Sequence, residues 1–483
     1  MKIPNAHALN CDGLRRSLRR LIIFLPVVMF CVGQRMDAAE QYWRTDGASG
    51  GTWTSTNWSN PASATGGTAW GSGNDAFFTA GSTLTFVTST LFRNVTLSDG
   101  IAVTITAAGT ASAGAHIYDI RTGSSLTWQS QNFTANGTSF TKNGQGTWNI
   151  GAIGNAYSGG FTLNAGTVIV TGTNSLGAGS LSINGGTIQS SGSTAFAPTS
   201  ITVGGDFALS GTGDDTWNGN VDIGSATRTI TNGTSSNATR TFTGTISGAA
   251  GLTFEGGGGS GAVVLSGSNN YLGVTTVNEG VVKLDGGTTA DPILKNTGGV
   301  VLTTGGTLLF SGAGDTNNKL HTAATVTLGG GTLNTGGLNG LDQTVGALTL
   351  TASSVIDFAA LVSGSQTLRF AASNADWTGR TLSIWNWTAG IDHLFFGTSA
   401  SGLDASQLAQ VSFYGGSGTG FLGTGAIASD GQLSAIPEPS TVGALVALAG
   451  LICWRERRRL RGMMLACGPT QWEAAPEMNR LPS

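Results

Sequence analysis

The chain has 483 residues, including 77 Gly, 12 Trp and 20 Phe, yet only 10% are charged. Glycine excess and few helix formers argue against a helical bundle, and abundant aromatic and β-branched residues argue against a disordered polymer. The formal net charge of −3 hides a split, because Glu40 to Ile436 carries 20 acidic and 11 basic residues while the other 12 basic residues sit in the two ends. An acidic body without a basic stripe gives no electrostatic footprint for nucleic acid, which is excluded as a partner class. Cys11, Cys31, Cys453 and Cys467 all lie in the ends, so strand stacking rather than disulfides has to stabilise the body.

Residues 1–39 read as a signal peptide for the general secretion machinery. Arg15, Arg16, Arg19 and Arg20 precede an apolar run from Leu21 to Val32, and Ala38-Ala39 follows. Cuts after Gly33, Ala38 or Ala39 all remain open, the last placing Asp37 at the −3 position. Arg15-Arg16-Ser17-Leu18 is a weak twin-arginine pattern, and Cys31 has no lipobox before it. Residues 40–110 form a Trp-rich β region in which Trp43, Trp53, Trp58 and Trp70 punctuate Gly, Ser and Thr. Sealing the end of a stack is favoured for these rings over sugar stacking, because buried aromatics contribute most to a core.

Residues 111–345 are read as the β-solenoid, set by nine apolar–turn–apolar units of which the last lies just past that boundary. The first runs from Leu163 to Val168, and later ones begin at Ile183, Val203, Ile223, Ile246, Val277, Leu302, Leu328 and Leu350. Steps between them are 20, 20, 20, 23, 31, 25, 26 and 22 residues. Such a period marks a solenoid whose single units cannot bury their own apolar face. Thr, Val and Ile suit pleated strands, and Gly suits the bends. A leucine-rich repeat shares the period, but its fixed Leu framework and Asn ladder are missing. The expected fold is therefore all-β: a right-handed parallel β-helix with coils of about 20–26 residues, capped at both ends.

Two stretches carry a family resemblance. Lys142-Asn-Gly144-Gln-Gly146-Thr-Trp148 with Asn155-Ala-Tyr157-Ser-Gly159 through Gly166 resembles the autotransporter-associated β-strand repeat, giving a copy at 140–170. A second copy at 251–284 keeps Asn269-Asn-Tyr271-Leu-Gly273, with Glu255 in place of the usual Lys. The resemblance implies a passenger-like β-helix at a bacterial surface and no particular enzymatic activity.

Residues 346–435 form a C-terminal β region. Trp385 and Trp387 are expected on one face of a strand, sealing the last coil. Residues 436–461 then read Ile436-Pro437-Glu438-Pro439, an apolar stretch from Val442 to Trp454, and Arg455, Arg457, Arg458, Arg459 and Arg461. This order resembles the PEP-CTERM sorting signal of Gram-negative bacteria. The resemblance implies recognition by a membrane exosortase, cleavage near Pro437-Glu438-Pro439, and release to the outer surface or extracellular matrix, often with polysaccharide. A short transmembrane helix of about 20 Å would serve as a temporary inner-membrane anchor, with the Arg cluster as a cytoplasmic stop. Residues 462–483 are an atypical extension for this family.

Chemistry in the body is sparse, and no catalytic set, cofactor or metal site is expected. His116, His321 and His393 are scattered. Asp214-Asp215 resembles a single calcium-binding nonapeptide turn without the second copy such sites need, so a solvated turn is preferred. Glu255, Glu279 and Asp285 are the acids nearest the second repeat. The sequence reading is thus an exported structural or adhesin-like protein, not an enzyme. The alternative is a β-helix polysaccharide lyase or hydrolase.

Overall fold

The computed structural model describes residues 40–43, 50–52, 58–59, 73–85, 93–106 and 448–459. It also describes 114–436 apart from 130–135, 152–154, 234–236, 257–260, 287–291, 313–318, 362 and 374. These residues form a parallel β-solenoid. Short strands alternate buried and half-buried positions, as in Thr167–Val170 and Leu181–Ile183. In these strands Val168, Val170, Leu181 and Ile183 point inward and Thr167, Ile169 and Ser182 outward, and the inward set merges into one continuous core.

Three ladders stack along the axis. The first runs from Glu40–Trp43 through Ser139–Asn143, Gly160–Leu163 and Leu181–Ile183 to Ile246–Ser247, pairing in parallel from coil to coil. Its partner, the second ladder, includes Thr147–Gly151, Thr167–Val170 and Thr187–Ser190 and continues to the strand Leu341–Ala352. From Thr194–Phe196 a third ladder joins and runs to Val411–Tyr414. Early coils thus close with the first two ladders, the coils between Thr194 and Ser247 with all three, and later ones mainly with the second and third.

The sequence ladder maps onto this architecture with one correction. Leu163 pairs beside Ile183 and Ile183 beside Val203 in the first ladder. Val277, Leu302, Leu328 and Leu350 are consecutive partners in the second. The 31-residue step is therefore not a long coil. Ile246 pairs with Val221 on the first ladder, whereas Val277 pairs with Phe254 on the second. The first five units turn between ladders one and two, and the last four turn between ladders two and three.

Where the first ladder lapses, buried amide side chains replace its hydrogen bonds, since buried backbone groups need partners. Asn269 accepts from Ile246 N at 2.8 Å, and isolated bridges join Asn269, Leu294 and Leu320. Gln343 then accepts from Lys319 N and Leu320 N at 2.9 and 3.1 Å.

Both ends switch to antiparallel pairing. Trp43 lies opposite Trp58, and both pack against Phe78 with ring centroids 6.4 and 5.6 Å away. Both rings are buried; Trp53 and Trp70 lie outside the described residues. At the other end Phe421–Ile427 and Gln432–Ile436 fold back over Val411–Tyr414 and Asp392–Phe396. No strand of this last layer is left with an open edge, which removes the template for edge-to-edge association. A single helical turn, α1 (Ala405–Leu408), is fixed by a capping box between Asp404 and Gln407.

The expectation that Trp385 and Trp387 share one face of a strand fails. Their strand ends at Trp385, and Asn386 takes a left-handed φ of 54°, which breaks the alternation. Trp387 enters the core between Phe358 and Phe413, while Trp385 stays half-buried.

Candidate functional site

The repeat signature owes its residue types to the tight corner between coils. In the first copy Asn155 donates to Ser175 O at 2.6 Å, and Tyr157 is buried with its ring 4.9 Å from Phe140. A Cβ at Gly159 would come within 2.5 Å of Thr138 O. In the second copy Asn269 is again buried, and Tyr271 shares a 2.7 Å hydrogen bond with Thr275 Oγ1. A Cβ at Gly273 would collide with the Gly251 backbone. Asn ties one coil to the next, Tyr plugs the core, and Gly admits the close approach.

The two copies sit at different corners. The first leads from the second ladder into the first, through Thr147–Gly151 and Gly160–Leu163. The second leads from the third ladder into the second, through Ala262–Leu265 and Thr275–Val277. Lys142 and Glu255 are not equivalent: Lys142 is fully buried, whereas Glu255 faces out from its strand.

Lys142 donates to Asn143 O and Gly144 O, both at 2.7 Å, and to Ala165 O at 3.2 Å. Burial lowers its ammonium to about 8, partly opposed by the charge of Asp119. Outside this corner Asn164 donates to Asn143 Oδ1 at 2.7 Å and Asn184 to Asn164 Oδ1 at 2.8 Å. These exposed Asn–Asn hydrogen bonds link three successive coils outside the core.

Asp214-Asp215 is not a solvated turn. Asp214 faces solvent and accepts from Thr239 N at 2.7 Å, while Asp215 points inward. The Asp215 and Arg240 side chains are both 0% exposed and meet at 2.7 Å. Arg240 also donates to Gly213 O, to Ser210 O at 2.8 Å and to Gly211 O at 3.1 Å. Burial pushes the Asp215 carboxyl up to about 6, with Arg240 holding it back, and burial also lowers the guanidinium. The same ladder stacks Phe196, Trp217 and Phe242 at centroid distances of 4.5 and 5.6 Å. This constellation is enclosed in the core.

The remaining sequence candidates separate. Glu255 and Glu279 share a depression of about 430 Å³ with Asn278, Thr303 and Thr304. Asp285, at the far end of the strand Gly280–Asp285, does not line it. His116 bonds Arg93 O, His321 accepts from Ala323 N, and His393 bonds Gln432, so the three are not brought together. Among the described residues no group of three or more His, Cys, Asp or Glu could hold a metal ion.

The sorting motif Pro437, Glu438 and Pro439, together with Arg461, lies outside the described residues. Helix α2 spans 448–459 and contains Arg455, Arg457, Arg458 and Arg459 rather than stopping before them; Arg458 lies 4.3 Å over the Trp454 ring. Among the described residues no helix is long and apolar enough to cross a membrane, so the expected transmembrane helix is not supported. Twelve residues span about 18 Å, and the arginines occupy the C-terminal part of that length.

Comparison with known proteins agrees with the corner analysis. Residues 140–170 and 258–284 match the passenger-associated-transport-repeat, the second match starting at 258 rather than 251. No characterised protein and no solved structure matches the chain. Repeats of this type on a parallel β-solenoid suggest an autotransporter-passenger-like extracellular protein.

Proposed function

We propose that the protein is a non-enzymatic structural or adhesin-like component of the cell surface or extracellular matrix. It leaves the cytoplasm through the general secretion machinery. Exosortase then sorts it by its C-terminal PEP motif after transient inner-membrane anchoring. The observation that carries this reading is the placement of two passenger-type repeats inside one continuous solenoid. Support for sorting comes from the order of Pro437, Glu438 and Pro439, the apolar stretch and the Arg cluster in the sequence. Extracellular polysaccharide is the proposed partner, with no nucleic acid and no cofactor. Replacing Glu438 with Ala should leave the chain in the membrane fraction, and unchanged release of a trimmed product would refute the sorting route.

The shared depression of Glu255 and Glu279 is the observation that favours the other reading, a polysaccharide lyase or hydrolase. That reading requires polysaccharide cleavage by the purified chain, abolished in Glu255→Gln/Glu279→Gln. Absence of cleavage across neutral, acidic and amino polysaccharides would remove it.

A further inference from the structure

One depression with a mostly apolar lining has no role in the account so far. It is a trough of about 830 Å³ at the C-terminal end of the solenoid, lined from successive coils by Ala323, Gly346, Ala371 and Gly397 and closed off by Asp430. Its origin is a register shift between Thr344 and Ala347 in the strand Leu341–Ala352. Gly346 leaves the shifted segment bare, and a Cβ there would come within 2.8 Å of Ala323 O. Val345 and Phe370 give an apolar floor. Arg369 forms a wall, its guanidinium 4.3 Å over the Phe395 ring and 2.9 Å from Asp342. Thr322, Thr325, Thr344 and Thr398 supply hydroxyls along the lining.

We propose that this trough binds an extended, uncharged glycan chain lying along the solenoid axis. The inference deepens the surface-and-matrix reading and rests on it for the choice of a polymer. A mostly apolar concavity with a few polar groups fits an amphipathic ligand. Sugar rings offer C–H faces to the alanines, and their hydroxyls both donate and accept, as threonine hydroxyls do. Neighbouring strands stack at about 4.8 Å, close to the advance per sugar in an extended chain, so each coil can repeat the same contact. Charge decides between neutral and acidic polymers. Arg369 is already paired with Asp342, and Asp430 adds a negative charge, so a polyanion gains nothing. A peptide docking by strand addition needs an open edge. The strands Gln366–Ala371 and Asp392–Phe396 are paired on both sides, and Leu341–Ala352 pairs with one neighbour through its first half and with another through its second.

The test is calorimetric titration of the full chain with neutral linear hexasaccharides of different linkage, a uronate hexasaccharide and a fatty acid. Ala371 is exposed, so Ala371→Trp fills the trough without disturbing the core. Arg369→Met removes the donors while keeping bulk. The expected result is binding of at least one neutral hexasaccharide, lost in Ala371→Trp and weakened about tenfold in Arg369→Met, with unchanged circular dichroism for both variants. Binding of no neutral hexasaccharide, preference for the uronate or the fatty acid, or binding indifferent to Ala371→Trp would each overturn the inference. Surface release is read separately by localisation, so an exported chain with an empty trough would refute this inference alone.

Discussion

Arg240→Met is the most informative perturbation of the solenoid. Arg240 and Asp215 are fully enclosed, and the guanidinium additionally satisfies the carbonyls of Ser210, Gly211 and Gly213. Removing one partner strands the other charge in the core, at a cost of about 3–5 kcal/mol. In the wild type burial lifts the Asp215 carboxyl to about 6, above the ordinary carboxyl value of 3.8. The folded state therefore holds this proton more tightly than the unfolded chain. The contribution of this group makes the protein more stable as pH falls from neutrality through 6. Without the cation the carboxyl rises further, so the loss in Arg240→Met should be greatest at pH 8 and shrink by pH 5. Asp215→Asn/Arg240→Met removes the stranded charge and should recover more than half of the loss, leaving about 1–2 kcal/mol for unpaired carbonyls. Urea unfolding of the wild type, both single variants and the double variant, followed by circular dichroism at both pH values, reads this directly. A loss below about 1 kcal/mol at pH 8, a pH-independent loss, or additive single effects would refute the reasoning.

Four further outcomes follow from the packing. Trp217→Ala empties the ring stack between Phe196 and Phe242 and should cost about 3–5 kcal/mol, measured by the same unfolding assay. Gly273→Ala drives a Cβ into the Gly251 backbone and should abolish soluble expression. Gly100→Ala, with φ of 73° and open space around it, should cost about 1–2 kcal/mol in thermal melts, from backbone strain alone. Lys142 is lowered to about 8, so its folded form releases the proton earlier than the unfolded chain. Stability of the wild type relative to Lys142→Met should therefore rise as pH climbs through 8 toward 10, and a flat difference in melting temperature would contradict this.

Much of the fold was legible because coil length is written in the spacing of apolar residues. Leu163, Ile183 and Val203 stack as their 20-residue steps require. The failure between Ile246 and Val277 has a simple cause: an apolar–turn–apolar unit looks the same at either corner, and nothing local labels its ladder. Asp215 was misread because an adjacent acid pair resembles a wet turn. Strand alternation sends one acid out and one in, and Arg240, one coil later at the same register, was the available signal. The break at Asn386 was invisible because residue types alone do not mark which position of a strand takes a left-handed φ. The trough depends on a register shift inside one strand, which residue spacing does not encode.

The central claim is that this solenoid is an exported passenger-like protein released by C-terminal sorting. Intact mass and terminal peptide mapping of the protein recovered from the cell surface and medium test it most directly. The account predicts a chain lacking its N-terminal leader and ending near Pro437 to Pro439, without the Arg cluster. A product ending at Ser483 and confined to the membrane fraction would contradict sorting, and a full-length chain in the cytoplasm would contradict export itself.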